Sequence, residues 1–574
     1  MKKYWEILRR YKTSFLLSPL LVFILVLSET AQPMLMARIV DEGVMRQDIP
    51  FITRFGIYMV LISLVGLVAS IANTYVSSRA SIGFGTDLRS TLFRRIQEFS
   101  FSDIDEFSTA SLITRLTNDI TRIQMVVQVA LRMLLRSPLM LIMALFFVAR
   151  INKDLLWILA VSVPALAVSL YIILRKGFPF FVKVQEKLDQ LNAVIQENLV
   201  NIRVVKSFVR EDFETRKFVR SSEELRDKVI RASNIVVTMF PVLQLVMNGS
   251  ILAVLWFGGR KIMAGHLQVG ELISVVTYLS QILFSLMMLS MIIMTFARAS
   301  ASSERIREVL DKEPSLTDTP EGAKDLYRVD RGEVVFDRVN FRYRGGETDV
   351  LHDISFHVRP AETVAVVGAT GSAKSSLVQL IPRLYDIRSG EILIDGRNIL
   401  DYHLETLREG VGVVLQKNVL FTGTIRENLL WGNPDATQEE IEQAARAADA
   451  HDFIVAFPEG YDTELERGGV NVSGGQRQRL CIARALLRRP KILILDDSTS
   501  AVDSNTEQKI RASLKDLLTD TTVFIITQRI HTMQTSDRAM ILDDGAIVAM
   551  GTPAGLLQTS EVYREIYNSQ QIVP

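Results

Sequence analysis

The stretch GATGSAKSS, Gly368 to Ser376, follows the apolar segment Thr363–Val367 and precedes the helix-like sequence SSLVQLIPRLY. It matches the phosphate-binding pattern G-x-x-x-x-G-K-[ST] at every position but one, in the strand-to-helix context that this pattern requires. Backbone N–H groups and the helix N-terminus of such a loop surround phosphate oxygens. We therefore expect Lys374 to reach the β- and γ-phosphates of a nucleotide and Ser375 to hold Mg²⁺. For the loop taken alone, a chance glycine-rich turn is the alternative.

The one departure from the pattern is Ala373, which stands where the last glycine is usual. Its Cβ lies close to the phosphate position and restricts the backbone. We expect nucleotide binding to survive this change in a weaker form. The residues expected to bind the phosphates are Gly368, Thr370, Gly371, Ser372, Ala373, Lys374, Ser375 and Ser376.

A second candidate site residue ends the apolar segment KILILDD, residues 491–497. Asp496 is suited to hold Mg²⁺ through the water shell of the ion. From about Gly332 onward, similar apolar strands alternate with helical segments. This alternation predicts an α/β domain with a mixed sheet.

The first 300 residues have a different character. A bilayer core needs about 20 mostly apolar residues per helix, and six runs meet this condition, so the sequence predicts six membrane spans. A set of buried helices in a large soluble protein is the alternative. The basic N-terminal stretch MKKYWEILRRYKTS predicts an interfacial helix and not a cleaved signal peptide. The six runs cover approximately residues 14–37, 55–77, 129–149, 155–174, 234–257 and 272–296.

The distribution of lysine and arginine predicts the orientation of these spans. Segments 78–128 and 175–233 are long and basic, so we expect them, both termini and the α/β domain to be cytoplasmic. Their apolar spacing is helical. Each can form two antiparallel arms of roughly 35 Å, with turns near STASLITRLTND and NLVNIRVVKSF.

The chain has 574 residues, too many for one compact domain. We expect a transmembrane domain at 1–311, a polar linker at 312–331 and the α/β domain at 332–574. The predicted fold class is multidomain, with an all-α six-helix transmembrane domain followed by an α/β P-loop ATPase domain.

A net charge of +1 gives no basic field for nucleic acid. The lone Cys481 excludes an intrachain disulfide framework.

Between the phosphate loop and the acidic strand lies VSGGQRQR. Its Ser473, Gly474, Gly475 and Gln476 resemble the signature motif of the ATP-binding-cassette family. Other family marks appear in order. Tyr343 in FRYRG matches the aromatic residue that stacks on adenine, and Gln416 in VVLQKNVLF matches the glutamine that senses Mg²⁺ and the membrane domain. SAVD, residues 500–503, matches the loop that crosses to a partner cassette. Together with the six spans, the chain resembles the exporter branch over almost its whole length.

The resemblance implies how such a chain works. In that family two cassettes close head to tail, and each ATP lies between the phosphate loop of one and the signature of the other. One cassette with six spans therefore implies pairing, with ATP and Mg²⁺ as cofactors. The turns near LITRLTND and LVNIRVVKSF resemble coupling helices, which would convert cassette closure into alternating access. Ordinary amphipathic connectors are the alternative.

Two positions depart from the family pattern. The resemblance implies a Glu at position 497 as the base that polarises the attacking water, and a switch His at position 528 that contacts the γ-phosphate. Asp497 withdraws the carboxylate by on the order of 1 Å, and such a displacement can slow catalysis by about 10²-fold. Gln528 can donate a hydrogen bond but carries no charge. The chain thus resembles the degenerate-site subunit of bacterial heterodimeric exporters, often multidrug exporters. The implied partner is a homologous half-transporter with intact Glu and His. Tolerated variants in a fully active site are the alternative.

The cargo is less well specified. Glu29 in the first span is a substrate candidate because intramembrane carboxylates are energetically unfavourable, but an interhelical hydrogen bond or a place near the outer interface fits equally. The Met-rich ILFSLMMLSMIIM in the last span suits varied apolar ligands or lipid-facing packing. Small apolar or amphipathic drugs or lipids are the first cargo candidates, and peptides are the second. A nucleotide-gated channel and an ATP-binding regulatory scaffold are alternatives of other classes. The expected location is the bacterial plasma membrane, in contact with lipid and not with nucleic acid.

Overall fold

The computed structural model describes residues 2–316, 318, 327–497 and 504–571. It divides into two compact units. The helical unit comprises Met1–Gln97 and Ala110–Lys312, and the cassette unit comprises Glu98–Thr109 and Glu313–Pro574. The predicted crossing loop SAVD, 500–503, and part of the predicted linker, 317 and 319–326, lie outside the described residues.

The first part of the chain is helical throughout. Three π-helical stretches, Ile39–Val44, Arg115–Asp119 and Ala130–Leu134, interrupt or extend its α-helices. The α-helices are α1 (Lys2–Arg9), α2 (Lys12–Arg38), α3 (Ile49–Gln97), α4 (Phe101–Phe107), α5 (Thr109–Thr114), α6 (Ile120–Val129), α7 (Arg136–Ile151), α8 (Leu156–Val200), α9 (Ile202–Ser207), α10 (Glu211–Met263) and α11 (Val269–Asp311).

Four stretches of the described chain are helical, long and apolar enough to cross a membrane. They overlap the predicted first, second, third and sixth spans. The fourth and fifth predicted spans fall in α8 and α10, where some side chains are outside the described set, so these two stay predictions. The four stretches are Lys12–Val44, Ile49–Gln97, Thr109–Ile151 and Val269–Leu289.

The segment 175–233, which we expect to be cytoplasmic, forms the predicted helical arms. The C-terminal part of α8 and the N-terminal part of α10 run antiparallel. Two ion pairs show this: Lys187 pairs with Glu224 and Glu197 pairs with Lys217, each at 2.7 Å. The arms turn at α9, inside the sequence NLVNIRVVKSF, as predicted.

The first pair of arms turns at α4, just before the sequence STASLITRLTND. A capping box sets its start: Ser100 accepts from the backbone N–H of Asp103, and the Asp103 carboxylate accepts from the backbone N–H of Ser100. STASLITRLTND itself forms α5 and a π-helix. That π-helix buries Asp119, which accepts two hydrogen bonds from Arg305 of α11, at 2.8 and 2.5 Å.

The second part of the chain has the predicted mixed α/β architecture. Its strands are β1 (Val334–Phe341), β2 (Leu351–Val358), β3 (Thr363–Val367), β4 (Ser389–Ile394), β5 (Arg397–Asn398), β6 (Val411–Val414), β7 (Gly423–Thr424), β8 (Glu464–Leu465), β9 (Ile492–Asp496), β10 (Thr522–Ile526), β11 (Arg538–Asp543) and β12 (Ala546–Gly551). Its helices are α12 (Lys374–Leu380), α13 (Leu404–Glu409), α14 (Ile425–Leu430), α15 (Gln438–Ala447), α16 (His451–Val455), α17 (Gly474–Leu487), α18 (Ser504–Leu517), α19 (Ile530–Thr535), α20 (Pro553–Thr559) and α21 (Glu561–Gln571).

Two sheets organise the core of the cassette unit. The larger has the order β12-β11-β3-β10-β9-β6, and the smaller is the antiparallel sheet β2-β1-β4-β5. In the larger sheet β11, β3, β10, β9 and β6 are parallel. Every residue of β9 and β10 is buried, which explains their unbroken apolar sequences. Phe336, Phe356 and Phe524 belong to the apolar core that the two sheets share.

Candidate functional site

One edge of the larger sheet collects most of the predicted nucleotide site. β3, β10, β9 and β6 are neighbours and run parallel, so their carboxyl ends meet at this edge. β3 leads into the phosphate loop, β10 into Gln528, β9 into Asp496 and Asp497, and β6 into Gln416. Ligands of open α/β sheets bind at the carboxyl ends of the strands. The sheet order thus brings together segments that are up to 160 residues apart.

The phosphate loop forms a closed turn around its own lysine. The Lys374 ammonium donates to the carbonyl oxygens of Gly368 at 3.0 Å and Ala369 at 2.7 Å. Ser372 is buried beneath the loop, whereas Thr370 and Gly371 are exposed. Burial lowers the pKa of Lys374. An anion in this loop would favour the charged ammonium, so these residues fit a nucleotide phosphate.

Ala373 precedes α12 in the left-handed conformation, with φ of 67° and ψ of 23°. A side chain in this region of backbone space costs roughly 1–2 kcal/mol relative to the right-handed helix. The glycine usual at this position adopts it freely. Ala373 therefore introduces backbone strain at the start of the phosphate-binding helix.

The oxygens suited to Mg²⁺ lie beside the loop. The Ser375 hydroxyl donates to Asp496 Oδ1 at 3.0 Å. Burial raises the pKa of Asp496, and the hydrogen bond from Ser375 partly offsets this effect. A buried carboxylate next to a hydroxyl is a donor set of hard oxygens, which matches the preference of Mg²⁺. Gln416, the third residue predicted to contact Mg²⁺, is exposed at the end of β6.

Asp497 follows β9 directly, and Gln528 lies two residues after the end of the neighbouring strand β10. The Asp497 backbone has φ of 47°, and its N–H donates to the carbonyl of Ile526 in β10. Gln478 of α17 donates to the Asp497 carbonyl at 3.3 Å. The Gln528 side chain is exposed at the sheet edge.

Sequence reasoning missed Glu507. The available signal was its spacing of four residues from Arg511, which is typical of an ion pair on a helix. It is buried at the start of α18 and accepts hydrogen bonds from Arg511 and Thr532, each at 2.9 Å, and from Arg529. Arg529 follows Gln528 directly. Glu507 therefore ties α18 to the segment that carries the switch position.

Tyr343 lies next to the phosphate-binding helix. Its hydroxyl is 2.8 Å from the hydroxyl of Ser376, so one of the two donates to the other. Its ring makes edge contacts with Phe341 and with Tyr385, a residue that sequence reasoning also missed. The placement suits the predicted contact with the adenine base.

The signature motif stands apart from the phosphate loop. Ser473 caps α17 by accepting from the N–H of Gln476, while the Ser473 N–H donates to Gln476 Oε1. Gly474 borders a cleft together with Gln416 and Phe421. Among the residues that the structure describes, no hydrogen bond joins Ser473, Gly474, Gly475 or Gln476 to the loop Gly368–Ser376.

Glu29, the substrate candidate, forms an interhelical ion pair. Its Oε1 accepts from Arg136 of α7 at 2.5 Å. Pro33 has no N–H to offer the Glu29 carbonyl, and the Gln281 amide of α11 approaches that carbonyl at 3.5 Å. Of the three roles weighed for Glu29, this geometry favours the interhelical contact.

Two family descriptions match the chain. The ABC transporter transmembrane region matches residues 15–287, and the ABC transporter domain matches residues 351–500. An uncharacterized ABC transporter ATP-binding protein of Bacillus subtilis, YfiB, is 41% identical over 96% of both chains. The chain therefore belongs to the ABC transporter family, as an exporter-type half-transporter with a transmembrane region followed by a cytoplasmic ATPase domain. ATP with Mg²⁺ is its cofactor, and its ATP hydrolysis is coupled to transport.

Other relatives differ in their described cargo. A putative multidrug export ATP-binding/permease protein of Bacillus subtilis, YgaD, is 32% identical over 100% of this chain and 99% of the relative. An ATP-dependent lipid A-core flippase of Syntrophus aciditrophicus is 33% identical over 84% of this chain and 80% of the relative. Among solved structures, a bacterial Atm1-family ABC exporter with ATP bound superposes with a TM-score of 0.81, at 27% identity and 99% coverage of both chains.

Proposed function

We propose that this chain is the degenerate-site subunit of a heterodimeric exporter in the bacterial plasma membrane. The exporter moves apolar or amphipathic small molecules out of the cytoplasm by alternating access. In this proposal residues 1–311 are the membrane domain, 312–331 the linker and 332–574 the cassette.

The separation of the signature from the phosphate loop carries the proposal of pairing. Ser473 and Gln476 bond to each other at the start of α17, whereas Lys374 bonds within its own loop, and no hydrogen bond between described residues joins the two motifs. A site that needs both elements is supplied by two cassettes. The intact signature of this chain would complete the hydrolysing site on the phosphate loop of the partner.

The residues at positions 497 and 528 support slow hydrolysis at this chain's own loop. Asp497 and Gln528 follow the ends of the neighbouring parallel strands β9 and β10, where a catalytic base and a switch residue are needed. A shortened carboxylate and an uncharged amide leave phosphate and Mg²⁺ binding possible but weaken activation of the attacking water. The partner is then a homologous half-transporter that carries Glu and His at these positions.

The cargo proposal rests on the apolar spans and on relatives. Glu29 is paired with Arg136, so it offers cationic cargo a carboxylate that is already partly neutralised. This favours apolar or amphipathic molecules recognised by shape and area. A relative named for multidrug export supports drugs as cargo, and one named as a lipid A-core flippase supports a lipid as the second candidate.

The pairing is tested by purifying the tagged chain from its native host and identifying what co-purifies. We expect a homologous half-transporter, and an ATPase rate for the isolated chain about 10²-fold or more below that of the pair. Brisk ATPase from a homodimer of this chain would contradict the proposal.

An asymmetric pair of variants tests the division of labour between the two sites. Ser473→Arg in this chain removes the signature from the hydrolysing site, and we expect it to abolish the ATPase of the pair. The corresponding change in the partner affects the slow site and should leave most of the rate. Equal losses from the two variants would indicate two equivalent sites.

The cargo is tested with the pair in proteoliposomes. Vectorial, ATP-dependent movement of fluorescent dyes supports drug export, and movement of a labelled lipid between leaflets supports the flippase alternative. Ion currents without cargo movement would indicate a channel. Transport that persists after Ser473→Arg would indicate an ATP-binding scaffold.

A further inference from the structure

Helix α4 is embedded in the cassette unit, although the chain enters and leaves it through α3 and α5. Asp103 of α4 is fully buried and accepts hydrogen bonds from the backbone N–H and hydroxyl of Ser315, at 2.9 and 3.1 Å. Only residues 98–100 and Ser108 separate α4 from α3 and α5 in the chain.

Tyr385 connects α4 to the strand end that carries Tyr343. Its hydroxyl donates to the Asp105 carboxylate of α4 at 3.1 Å, and its ring lies 6.1 Å from the ring of Phe101. On its other side, the Tyr385 ring meets Tyr343 edge-on, with centroids 5.2 Å apart and an interplanar angle of 90°. A single aromatic side chain thus touches both the helix and the tyrosine.

A parallel contact runs through the backbone neighbour of Tyr343. The Arg344 guanidinium lies 3.5 Å from the buried carboxylate of Asp103 and 3.6 Å from Glu106. A rotation of the segment 343–344 would move the Arg344 guanidinium, which lies near two carboxylates of α4. A cavity of about 130 Å³, bordered by Ser102, Arg344 and Tyr385, leaves room for such a movement.

The Tyr343 side chain is also fixed to the phosphate-binding helix through Ser376. A base that stacks on the Tyr343 ring can therefore shift the ring while the hydroxyl stays hydrogen-bonded to Ser376 of α12. By contrast, Gln416, which resembles the Mg²⁺-sensing glutamine of the family, is exposed just after β6. The route through Tyr385 starts at the base and not at the γ-phosphate.

We propose that Tyr385 is a positioning residue that transmits stacking of the nucleotide base on Tyr343 to helix α4, and through α4 to the arms α3 and α5. This inference rests on the proposed role of Tyr343 as the adenine contact. It assigns the base, in addition to the phosphates, a part in coupling the cassette to the membrane spans. By linkage, a change in α4 that depends on the base also alters the affinity for the base by the same factor.

Amide hydrogen exchange on the full-length protein in nanodiscs tests this route. The ligands are Mg²⁺-ATP and inorganic tripolyphosphate with Mg²⁺, which occupies the phosphate loop but carries no base. We expect both to slow exchange in residues 368–376. Only ATP should slow exchange in residues 101–107, by about fivefold or more, the lower end of typical coupling.

Two variants and a control complete the test. Tyr385→Phe removes the bond to Asp105, and Tyr385→Leu also removes the ring; the ATP effect on 101–107 should fall in the first and vanish in the second, while exchange in 368–376 still slows. Tyr402→Phe removes a buried hydroxyl bond of 2.9 Å to the Ile394 carbonyl elsewhere in the cassette unit, and should change nothing at α4.

The opposing outcomes are distinct. Equal slowing of 101–107 by tripolyphosphate and ATP would overturn a route that begins at the base. Full ATP-dependent slowing in both Tyr385 variants would overturn the role of Tyr385. If ATP slows exchange in neither 368–376 nor 101–107, the proposed nucleotide site itself is wrong.

Discussion

The Ser375 hydroxyl donates a hydrogen bond of 3.0 Å to the carboxylate of Asp496, and this contact joins the phosphate-binding helix to the strand β9. The two oxygens come from segments that are 121 residues apart in sequence. This contact places the phosphate loop next to the acidic end of β9, where burial raises the pKa of Asp496.

Ser375→Ala and Asp496→Asn should each weaken ATP binding about tenfold in the presence of Mg²⁺, because each removes an oxygen from the cation position. Binding in EDTA should change little. Displacement of a fluorescent nucleotide measures both affinities. Ser376→Ala is the matched control, since that hydroxyl contacts Tyr343 and should leave the Mg²⁺ dependence intact. A Mg²⁺ response in Ser375→Ala equal to that of the unmodified chain would contradict this assignment.

The double variant Asp497→Glu with Gln528→His should raise the ATPase rate at this chain's own loop by about 10²-fold or more, because it restores the reach of the carboxylate and the charge of the switch residue. Each single change should give less. Steady-state phosphate release from the purified chain is the measurement. Asp497→Asn is the control without a base. An unchanged rate in the double variant would direct attention to Ala373 as the limiting residue.

Ala373→Gly should strengthen nucleotide binding severalfold and slightly raise the unfolding temperature, because glycine adopts the left-handed backbone at this position without strain. Ala361→Gly is a close control. Ala361 is also left-handed, with φ of 61°, but it is an exposed residue before β3. Its replacement should affect stability alone. Equal gains in nucleotide affinity from both variants would show that the effect does not arise in the loop.

The Glu29–Arg136 pair predicts non-additive effects of substitution. Glu29→Gln or Arg136→Gln alone leaves one charge without its partner among the membrane helices, which is unfavourable. Each single variant should lower the unfolding temperature in detergent more than the double variant does. The double-mutant cycle isolates this coupling. Additive losses would mean that the two side chains act independently.

Asp103 predicts a pH dependence of the cassette unit. Burial disfavours its charge, but hydrogen bonds from Ser315 and Ser100 outweigh burial and hold the pKa of Asp103 below its usual range. A lowered pKa in the folded state contributes stability above the unfolded-state pKa of about 3.9, and this contribution is lost as the pH falls through the folded-state pKa.

The unfolding temperature of the unmodified chain should therefore exceed that of Asp103→Asn at pH 6, and the two should converge as the pH falls below about 4. Scanning calorimetry across this range is the measurement. Asp105→Asn, an exposed neighbour on the same helix, serves as control. A difference that grows on acidification would have the wrong sign for this explanation.

Local sequence was sufficient for several elements. GATGSAKSS predicted the turn between β3 and α12, because glycine content and an apolar strand specify that turn with little help from the rest of the chain. Four of the six apolar runs predicted helices that are long and apolar enough to cross a membrane. A capping-box pattern, Ser100 followed by Asp103, was also present in the sequence and would have placed the first cytoplasmic turn at α4.

Other features needed the tertiary structure. The position of β10 between β3 and β9 brings the segment that carries Gln528 to the same sheet edge as Asp496, and strand order depends on packing between distant segments. Arg136 as the partner of Glu29, and Tyr385 as the contact between α4 and Tyr343, are likewise pairs that lie 107 and 42 or more residues apart. No local pattern encodes such pairs, because they form only when separate helices and strands pack together.

The sequence by itself determined the chemistry of this protein: a phosphate loop, an acidic strand end, a signature and apolar spans, each encoded by neighbouring residues whose backbone and side-chain properties act over a few ångströms. The tertiary structure decided how these parts meet. It placed the loop, Asp496, Asp497 and Gln528 at one sheet edge, and it connected Tyr343 to α4 through Tyr385. The physical reason is that strand pairing and burial of apolar faces, and not local propensity, set the distances between residues far apart in the chain.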